Sequence, residues 1–373
     1  MASLKLIAKR MAKVEASGIR KIFDLVQNMK DAVDLSLGQA HFDIPDPIKE
    51  AAYKAIREGH SKYTVTQGIP ELHEKLRETL KRKYAYEPEG IVFTCGAAGG
   101  LFLSLMVLVD EGDEVLLPDP CFVLYKHIVN ICGGIPRFID TYPDFRLTPE
   151  KIEKQITPKT KLLLFNNPVN PTGVAYSAEE VSAIAATARK HKLLILSDEV
   201  YDNFSYDFPH ASMAQHYDRT VLINAFSKTY AMPGWRIGYT TGPREIVDQM
   251  VTLQQFSYVC APAPAQKTAA FALDVDMTPY IRDYRRKRDM ISEELSPHFE
   301  MAKSQGAFYL FPRVPWGTDQ EFVKTAIANN LLIVPGGAFS QKTTHFRISY
   351  AATDEKLRKG IEILKRLATR RES

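Results

Sequence analysis

The stretch KLLLFNNPVNPTGVAYSAEEVSAIAATARKHKLLILSDEVY, residues 161–201, decides the fold class. It contains two short apolar runs, at 161–165 and 192–197, which are typical of buried strands. Between them, residues 178–190 show the 3.6-residue periodicity of an amphipathic helix, and Ser177 stands where it can cap that helix. Near-continuous apolar strands separated by a helix predict a parallel sheet covered on both faces.

Further apolar runs extend this pattern in both directions from the quoted stretch. We predict additional strands at 91–94, 114–118 and 220–224. The sequence therefore predicts an α/β fold, a three-layer sandwich built on a mostly parallel sheet.

The C-terminal third has a different character, because charged helical segments flank short strands there. We predict helices at 279–295, 321–329 and 354–367, and strands at 306–311 and 345–350. These elements predict a smaller α+β domain. We place the large domain at 41–275, and the N-terminal arm with the small domain at 1–40 and 276–373.

Composition excludes several classes of protein. The 373 residues are 45% hydrophobic and 25% charged, and the net charge is only +4, so we expect no nucleic-acid partner. The densest basic run, 282–288, is predicted to be a solvated helix face.

The longest apolar run, 101–109, is half the length that a membrane span needs, so we expect a buried helix and no membrane. The four cysteines form no C-x-x-C pair, which favours a cytoplasmic protein without disulfides or a structural metal.

Polar residues follow several of the predicted strands at their carboxyl ends. In open α/β sheets, ligands bind outside these ends. Asn170, Asp198 and the pair Ser227-Lys228 are therefore expected to approach one crevice.

The segment Cys-Gly-Ala-Ala-Gly-Gly at 95–100 joins a predicted strand to the apolar helix. Its small side chains would let the amides of a helix N-terminus approach an anion, which predicts a phosphate cradle. A tight turn that needs glycines is an equally good interpretation. The spacing matches neither the dinucleotide fingerprint nor the P-loop.

Two charged side chains follow apolar strands, where burial is costly unless they are paired. Asp198 needs a cationic or hydrogen-bonding partner, for example a buried arginine or a protonated heterocycle nitrogen. Lys228 lies just past an apolar strand, and burial lowers the pKa of a lysine. The neutral amine that results is the form that makes an imine with an aldehyde.

Five motifs, in this order and with these separations, closely resemble class I/II pyridoxal-phosphate aminotransferases of fold type I. They are Tyr-Thr-x-x-x-Gly at 63–68, Asn-Pro-x-Asn-Pro-Thr-Gly at 167–173, Ser-Asp-Glu-x-Tyr at 197–201, Ser-Lys-x-x-x-x-x-Gly-Trp-Arg-x-Gly at 227–238 and Phe-Arg-Ile-Ser-Tyr-Ala at 346–351. The resemblance covers essentially the whole chain. It implies pyridoxal 5′-phosphate as cofactor.

The resemblance also implies roles for individual residues around the cofactor ring. Lys228 would hold the cofactor as an internal aldimine and then carry the proton of the substrate Cα. Asp198 would pair with the pyridine nitrogen. Tyr201 and Asn170 would bond the ring hydroxyl oxygen, and Phe122 would stack on the ring.

The phosphate and substrate groups are assigned in the same way. The resemblance gives the phosphate to Ser227, Arg236 and the amides of Ala97 and Ala98. It gives the substrate α-carboxylate to Arg347, with Gly38 passing close to the substrate. Tyr63 would reach the phosphate of a neighbouring subunit, which implies a homodimer with a shared active site.

The implied reaction moves an amino group from an α-amino acid, with aspartate or an aromatic amino acid favoured, to a 2-oxo acid such as 2-oxoglutarate. A carbon–sulfur lyase or a decarboxylase on the same scaffold is the alternative, because the cofactor can direct several reactions. Gln39 and Cys121 depart from residues that are common in the family, and the sequence identifies no second arginine for a dicarboxylate side chain.

Overall fold

A computed structural model describes residues 6–15 and 31–369. Its strands, in chain order, are β1 (Val33–Asp34), β2 (Gly90–Thr94), β3 (Glu114–Asp119), β4 (Ile135–Asp140), β5 (Thr160–Asn166), β6 (Leu194–Asp198), β7 (Thr220–Ala225), β8 (Gly238–Gly242), β9 (Tyr309–Leu310), β10 (Leu331–Leu332), β11 (Val334–Pro335) and β12 (Phe346–Ser349). Seven of them form the main sheet in the order β2-β8-β7-β6-β5-β3-β4. Strands β3 to β7 run parallel, and β8 runs antiparallel to both of its neighbours.

Helices cover this sheet and fill the C-terminal part. They are α1 (Asp46–Arg57), α2 (Pro70–Tyr84), α3 (Gly96–Leu108), α4 (Leu124–Ile131), α5 (Pro149–Glu153), α6 (Ala178–Lys190), α7 (Phe226–Thr229), α8 (Arg244–Gln255), α9 (Ala263–Ala272), α10 (Thr278–Leu295), α11 (Asp319–Ala328) and α12 (Asp354–Ala368). No helix among the described residues combines the length and the apolar composition needed to cross a membrane.

Strand β5 shows why the molecule has three layers. Successive side chains of a strand point to opposite faces. Leu162 and Leu164 pack in one apolar cluster with α3 and α4, whereas Leu163 and Phe165 pack in another with α6. All four side chains are buried, so both faces of the sheet are covered. The α/β class predicted from the apolar runs is confirmed.

The C-terminal elements form a second, smaller assembly. Strands β11, β12 and β9 make a three-stranded antiparallel sheet, and α10 packs against α12. Near the start of the described chain, β1 pairs in parallel with β10, so the residues around Val33 join this assembly. The domain division at 41–275 stays a prediction.

The helix predicted at 178–190 has the same bounds in the structure. Ser177 and Glu180 form a reciprocal capping box, in which each side chain bonds the other residue's backbone N–H. The strands predicted at 91–94, 114–118, 161–165, 192–197 and 220–224 all exist with small shifts at their ends. The sequence pattern missed β8, because its Gly-Tyr-Thr-Thr-Gly residues carry little hydrophobic signal.

Two predictions for the small assembly were wrong. The basic run is not uniformly solvated, since Lys287 and Arg288 are buried on the face of α10 that packs inward. Their charges are met there: Lys287 Nζ lies 3.0 Å from Asp283, and Arg288 lies 2.9 Å from Asp207. The strand predicted at 306–311 shrinks to β9, because Ala307 has a φ of 54° and interrupts the extended backbone.

Replacing Ser177 with alanine tests the link between sequence and fold at α6. The variant loses the hydroxyl that accepts the Glu180 N–H, and we expect the free energy of unfolding to fall by about 1 kcal/mol. Urea denaturation followed by circular dichroism measures this change. Ser296→Ala, at an exposed position just past α10, serves as the control and should leave the midpoint unchanged. Equal midpoints for both variants would contradict the capping role.

Candidate active site

The carboxyl ends of the parallel strands open into one cavity of about 650 Å³. Asp198 ends β6, and β7 leads directly into α7, which carries Ser227 and Lys228. The cavity lining includes these predicted site residues: Gly38, Ala97, Ala98, Phe122, Asn170, Asp198, Tyr201, Ser227, Lys228, Arg236 and Arg347. The structure thus brings together residues that lie more than 300 positions apart in the chain.

Tyr63 is the predicted site residue that does not line this cavity. Its side chain is 84% exposed. Its assignment was to a neighbouring subunit, and so its role stays a prediction.

Asp198 is a buried carboxylate with two hydrogen-bond donors. The Tyr125 hydroxyl donates to it at 2.7 Å, and the Val200 N–H donates at 3.3 Å. Burial raises the pKa of Asp198 to about 6, although both hydrogen bonds act in the opposite direction. A cation placed beside this carboxylate would relieve the cost of burying its charge.

Lys228 projects from α7 towards the loop before α1. Its Nζ donates to the Gly38 carbonyl at 2.6 Å and lies 5.6 Å from the centre of the Tyr201 ring. Burial and the nearby positive charge of Arg347 lower the pKa of Lys228 to about 8, against the opposing effect of Asp198. A larger fraction of this amine is therefore neutral at pH 7 than of a solvated lysine.

Arg347 is a buried cation without a carboxylate partner among the described residues. The Arg347 side chain is 1% exposed, and its two terminal nitrogens donate to Asn170 Oδ1 at 3.0 Å and to the Ser36 carbonyl at 2.7 Å. Its Nε has no hydrogen-bond acceptor. Burial lowers its pKa from the usual value. Such a guanidinium is suited to an anion that arrives with a ligand.

The turn from β2 into α3 lies directly against the guanidinium of Arg236, which donates to the Cys95 carbonyl at 3.1 Å. Gly96 has a φ of 69°, and a Cβ there would lie 2.7 Å from Arg236 Nη2. A Cβ at Gly238 would lie 2.8 Å from the Gly96 carbonyl carbon, so this backbone crossing also requires glycine. Ala97 and Ala98, in the first turn of α3, line the same cavity, and the N–H groups of a first helical turn are suited to bind an anion.

The side chains of Tyr201 and Asn170 each make a hydrogen bond to another side chain of the cavity. The Tyr201 and Tyr309 hydroxyl oxygens are 2.7 Å apart, and Asn170 accepts from Arg347. Phe122 packs edge-on against Tyr125, with ring centres 5.6 Å apart. Their predicted contacts with a cofactor ring stay predictions.

Among the residues that sequence reasoning missed are Tyr125 and Tyr309, which line this cavity, and Ser36, which accepts a hydrogen bond from Arg347. Tyr125 lies in the first turn of α4, three positions after Phe122, and nothing in its spacing pairs its hydroxyl with Asp198. Tyr309 was hidden in an apolar run, where an aromatic residue indicates core. Ser36 contributes only its backbone carbonyl, which no side-chain pattern records.

The two residues that depart from the family pattern, Cys121 and Gln39, differ in their burial. Cys121 is buried beside Phe122, and burial raises the pKa of its thiol well above the usual value, which makes it a poor nucleophile. Gln39 is exposed. Within residues 6–15 and 31–369, no group of three or more His, Cys, Asp or Glu side chains could hold a metal ion.

Three comparisons with known proteins agree with this geometry. The family model described as aminotransferase class I and II matches residues 30–364. A probable aspartate aminotransferase of Methanocaldococcus jannaschii is 40% identical and is matched over 97% of this chain and 100% of its own length. An aromatic-amino-acid aminotransferase 2 of Thermococcus litoralis is 35% identical, with 97% and 98% covered. A solved structure of an aspartate aminotransferase from Thermus thermophilus with maleate superposes with a TM-score of 0.92 at 32% identity, covering 97% of this chain and 99% of that chain.

The lowered pKa of Lys228 predicts selective labelling of its amine. An amine-reactive anhydride should modify Lys228 half-maximally near pH 8, because only the neutral amine reacts. Lys359 is the control, since its ion pair with Glu355 raises its pKa above that of an ordinary lysine. Peptide mass spectrometry across a pH series measures both residues. Labelling of Lys228 only above pH 10 would show that the side chain is not desolvated.

Proposed function

This chain belongs to the class I and II aminotransferases, and from that premise we propose that it moves the amino group of aspartate or an aromatic amino acid to a 2-oxo acid such as 2-oxoglutarate, with pyridoxal 5′-phosphate as cofactor. The observation that carries the proposal is the convergence of Lys228, Asp198 and Arg347 on one cavity. An amine, a carboxylate and a buried unpaired guanidinium match an aldehyde, a ring nitrogen and a substrate carboxylate, respectively.

The residues present fit this cofactor. The cavity of about 650 Å³ is within the usual range for a cofactor of this size. Arg236, Ser227 and the amides of Ala97 and Ala98 would hold the phosphate, and the absence of a Cβ at Gly96 lets the Arg236 guanidinium lie against this turn. Asp198 would hold the ring nitrogen, and Phe122 would cover one face of the ring.

When bound, pyridoxal 5′-phosphate supplies an aldehyde that condenses with amines and a ring that accepts electrons from the substrate Cα. Lys228 would hold the aldehyde carbon through Nζ until an amino acid replaces it. Freed in this way, the same Nζ would take the proton from the substrate Cα and, as an ammonium, would be the acid that donates it in the next transfer. A pKa of about 8 suits both transfers near neutral pH.

The Asp198 carboxylate would stabilise a positive charge on the group that lies next to it. The pKa of Asp198 is raised to about 6 by burial, and a cationic neighbour would lower it again and keep the carboxylate ionised. Tyr125 and the Val200 N–H hold the carboxylate in place for this contact.

Arg347 would bind the substrate α-carboxylate and so orient the Cα proton towards Lys228. Its rigid fork of donors matches a carboxylate in two parallel hydrogen bonds. The ring centres of Tyr309 and Phe339 lie 4.5 and 4.6 Å from the guanidinium carbon, and Arg347 is 1% exposed, so water is excluded from it. Desolvation of this kind strengthens the attraction between the guanidinium and the carboxylate.

The choice of amino donor rests on relatives whose names specify aspartate and aromatic amino acids. Among the described residues, the arginines that line the cavity are Arg236 and Arg347, and both already have roles. We also propose a cytoplasmic location, in keeping with four cysteines that are all free thiols.

We propose further that the enzyme is a homodimer with a shared active site. Tyr63 and Phe256 are each 84% exposed in the single chain, and tyrosine and phenylalanine are enriched at protein–protein interfaces. In the assembled dimer, the Tyr63 hydroxyl would reach the phosphate of the neighbouring subunit.

An absorbance screen tests the proposed reaction. Protein purified with the cofactor should be yellow, and aspartate or an aromatic amino acid should bleach it within seconds, after which 2-oxoglutarate should restore the colour. Lys228→Ala should slow turnover by on the order of 10³-fold or more, because no amine remains to move the Cα proton.

Lys267→Ala is the matched control, since this lysine pairs with Glu71 at the surface and should be silent. Amino-acid-dependent release of pyruvate together with a thiol, without recovery of colour by 2-oxoglutarate, would instead identify a carbon–sulfur lyase. Wild-type turnover by Lys228→Ala would remove the lysine from the mechanism.

Tyr63→Phe tests the shared site. Light scattering should give twice the mass of one chain, and the variant should bind pyridoxal 5′-phosphate about tenfold more weakly, through loss of a hydrogen bond to a charged group. Tyr53→Phe, at another exposed tyrosine, should retain full affinity. A monomeric enzyme, or equal affinities for the two variants, would rule out the contribution of Tyr63 across subunits.

A further inference from the structure

The Arg347 guanidinium contacts the segment that follows β11, through the ring of Phe339. Residues 336–342 follow β11, begin as the 3-10 helix Gly336–Ala338 and carry Phe339. Phe339 is 3% exposed, and its ring centre lies 4.6 Å from the guanidinium carbon of Arg347, which also lies 4.5 Å from the ring centre of Tyr309. Such rings attract the cation and so help to fix its position.

The 336–342 segment is fastened to the carboxyl end of β3 at two points. The Cys121 N–H donates to the Phe339 carbonyl at 2.9 Å. The Gln341 N–H donates to both oxygens of the Asp119 carboxylate, at 3.2 and 3.3 Å. The anchors therefore hold the backbone on both sides of Ser340, immediately beside the Phe339 ring.

Asp119 is a buried carboxylate, with a side chain only 4% exposed. Burial raises its pKa, and the hydrogen bonds from Ser340 and the Gln341 amide counter this effect. Lys342, the nearest cation in the segment, pairs instead with the exposed Asp140 at 2.8 Å. Burying a carboxylate is costly, and an ionised acceptor makes stronger hydrogen bonds than a neutral one.

The backbone of Asp119 is held independently of its side chain. Its carbonyl accepts from the Thr141 N–H at 3.1 Å and from the Thr141 hydroxyl at 2.8 Å. A change in the Asp119 carboxylate would therefore leave the strand end, and Phe122 after it, in place. In the part of the chain that the structure describes, the backbone N–H that donates to this carboxylate is that of Gln341, in the 336–342 segment.

We propose that Asp119 is a positioning residue for carboxylate recognition. By holding the Gln341 backbone on the end of β3, it keeps the Phe339 ring against Arg347. This inference rests on the proposed function only in taking Arg347 as the group that binds the substrate carboxylate. Asp119 itself touches neither the substrate nor the cofactor.

The test measures binding of an unreactive carboxylate alongside turnover. Succinate and 3-phenylpropionate resemble the two favoured donors without an amino group, and the one that binds wild type more tightly is used as the probe in calorimetry. Asp119→Asn should raise the Kd of the probe and the KM of the amino acid about tenfold, through loss of a charge-assisted hydrogen bond. The kcat and the Kd of pyridoxal 5′-phosphate should change by no more than about twofold, because the strand end stays in place.

Asp140→Asn is the matched control, since it makes the same chemical change on the exposed carboxylate that bonds the same segment. It should leave the Kd of the probe unchanged. Phe339→Leu is the second variant, which keeps Asp119 intact and should raise the Kd of the probe about fivefold. Since Asp119 acts through Phe339, the Kd of the probe for the double variant should not exceed the higher of the Kd values of the two single variants.

Several results would overturn the proposal. These are additive effects in the double variant, equal effects of Asp119→Asn and Asp140→Asn, or a cofactor Kd that rises as much as the probe Kd. If Asp119→Asn does not fold, an unchanged probe Kd in Phe339→Leu overturns it as well. Failure of the wild type to transaminate any amino acid, while Asp119→Asn still weakens probe binding, would reject the proposed function and leave the role of Asp119 standing.

Discussion

The rest of the site depends on one constraint, which is the burial of charged side chains at the carboxyl ends of the parallel strands. Asp198, Lys228 and Arg347 are each desolvated by the fold, and in each case burial is the largest cause of the shifted pKa. Burial opposes the charged form of all three groups. A ligand that brings the missing opposite charges would therefore gain binding free energy, because it would stabilise the charged form of each group.

The surrounding structure holds these groups in place at a tolerable cost. Tyr125 donates to Asp198, Gly38 accepts from Lys228, and Asn170 accepts from Arg347, so each group keeps part of its hydrogen bonding. None of these partners neutralises a charge. Short parallel strands with apolar residues on both faces supply the rigid frame, because alternate side chains of β5 pack into different layers.

The local pattern of the sequence predicted the elements of the large sheet well. Residues 178–190 form the expected helix because the apolar period, the Ser177 cap and the Glu180 partner all favour the same structure. The pattern failed where the signal was weak or misleading. Strand β8 consists of glycines, threonines and one tyrosine, and the inward face of α10 includes Lys287 and Arg288, whose charges are met by Asp283 and Asp207.

The sequence by itself determined the fold class, the family and the chemical types that the site contains, because these follow from local periodicity and from motifs of short span. It also predicted that Asn170, Asp198 and Lys228 approach one crevice, but it did not determine the individual contacts that hold each group there. The guanidinium of Arg347 bonds Asn170, 177 positions away, and Ser36, 311 positions away, and its two aromatic covers come from different strands and loops. Only tertiary packing decides such contacts, since the free energy that fixes them comes from burying distant segments against one another and leaves no periodic trace along the chain.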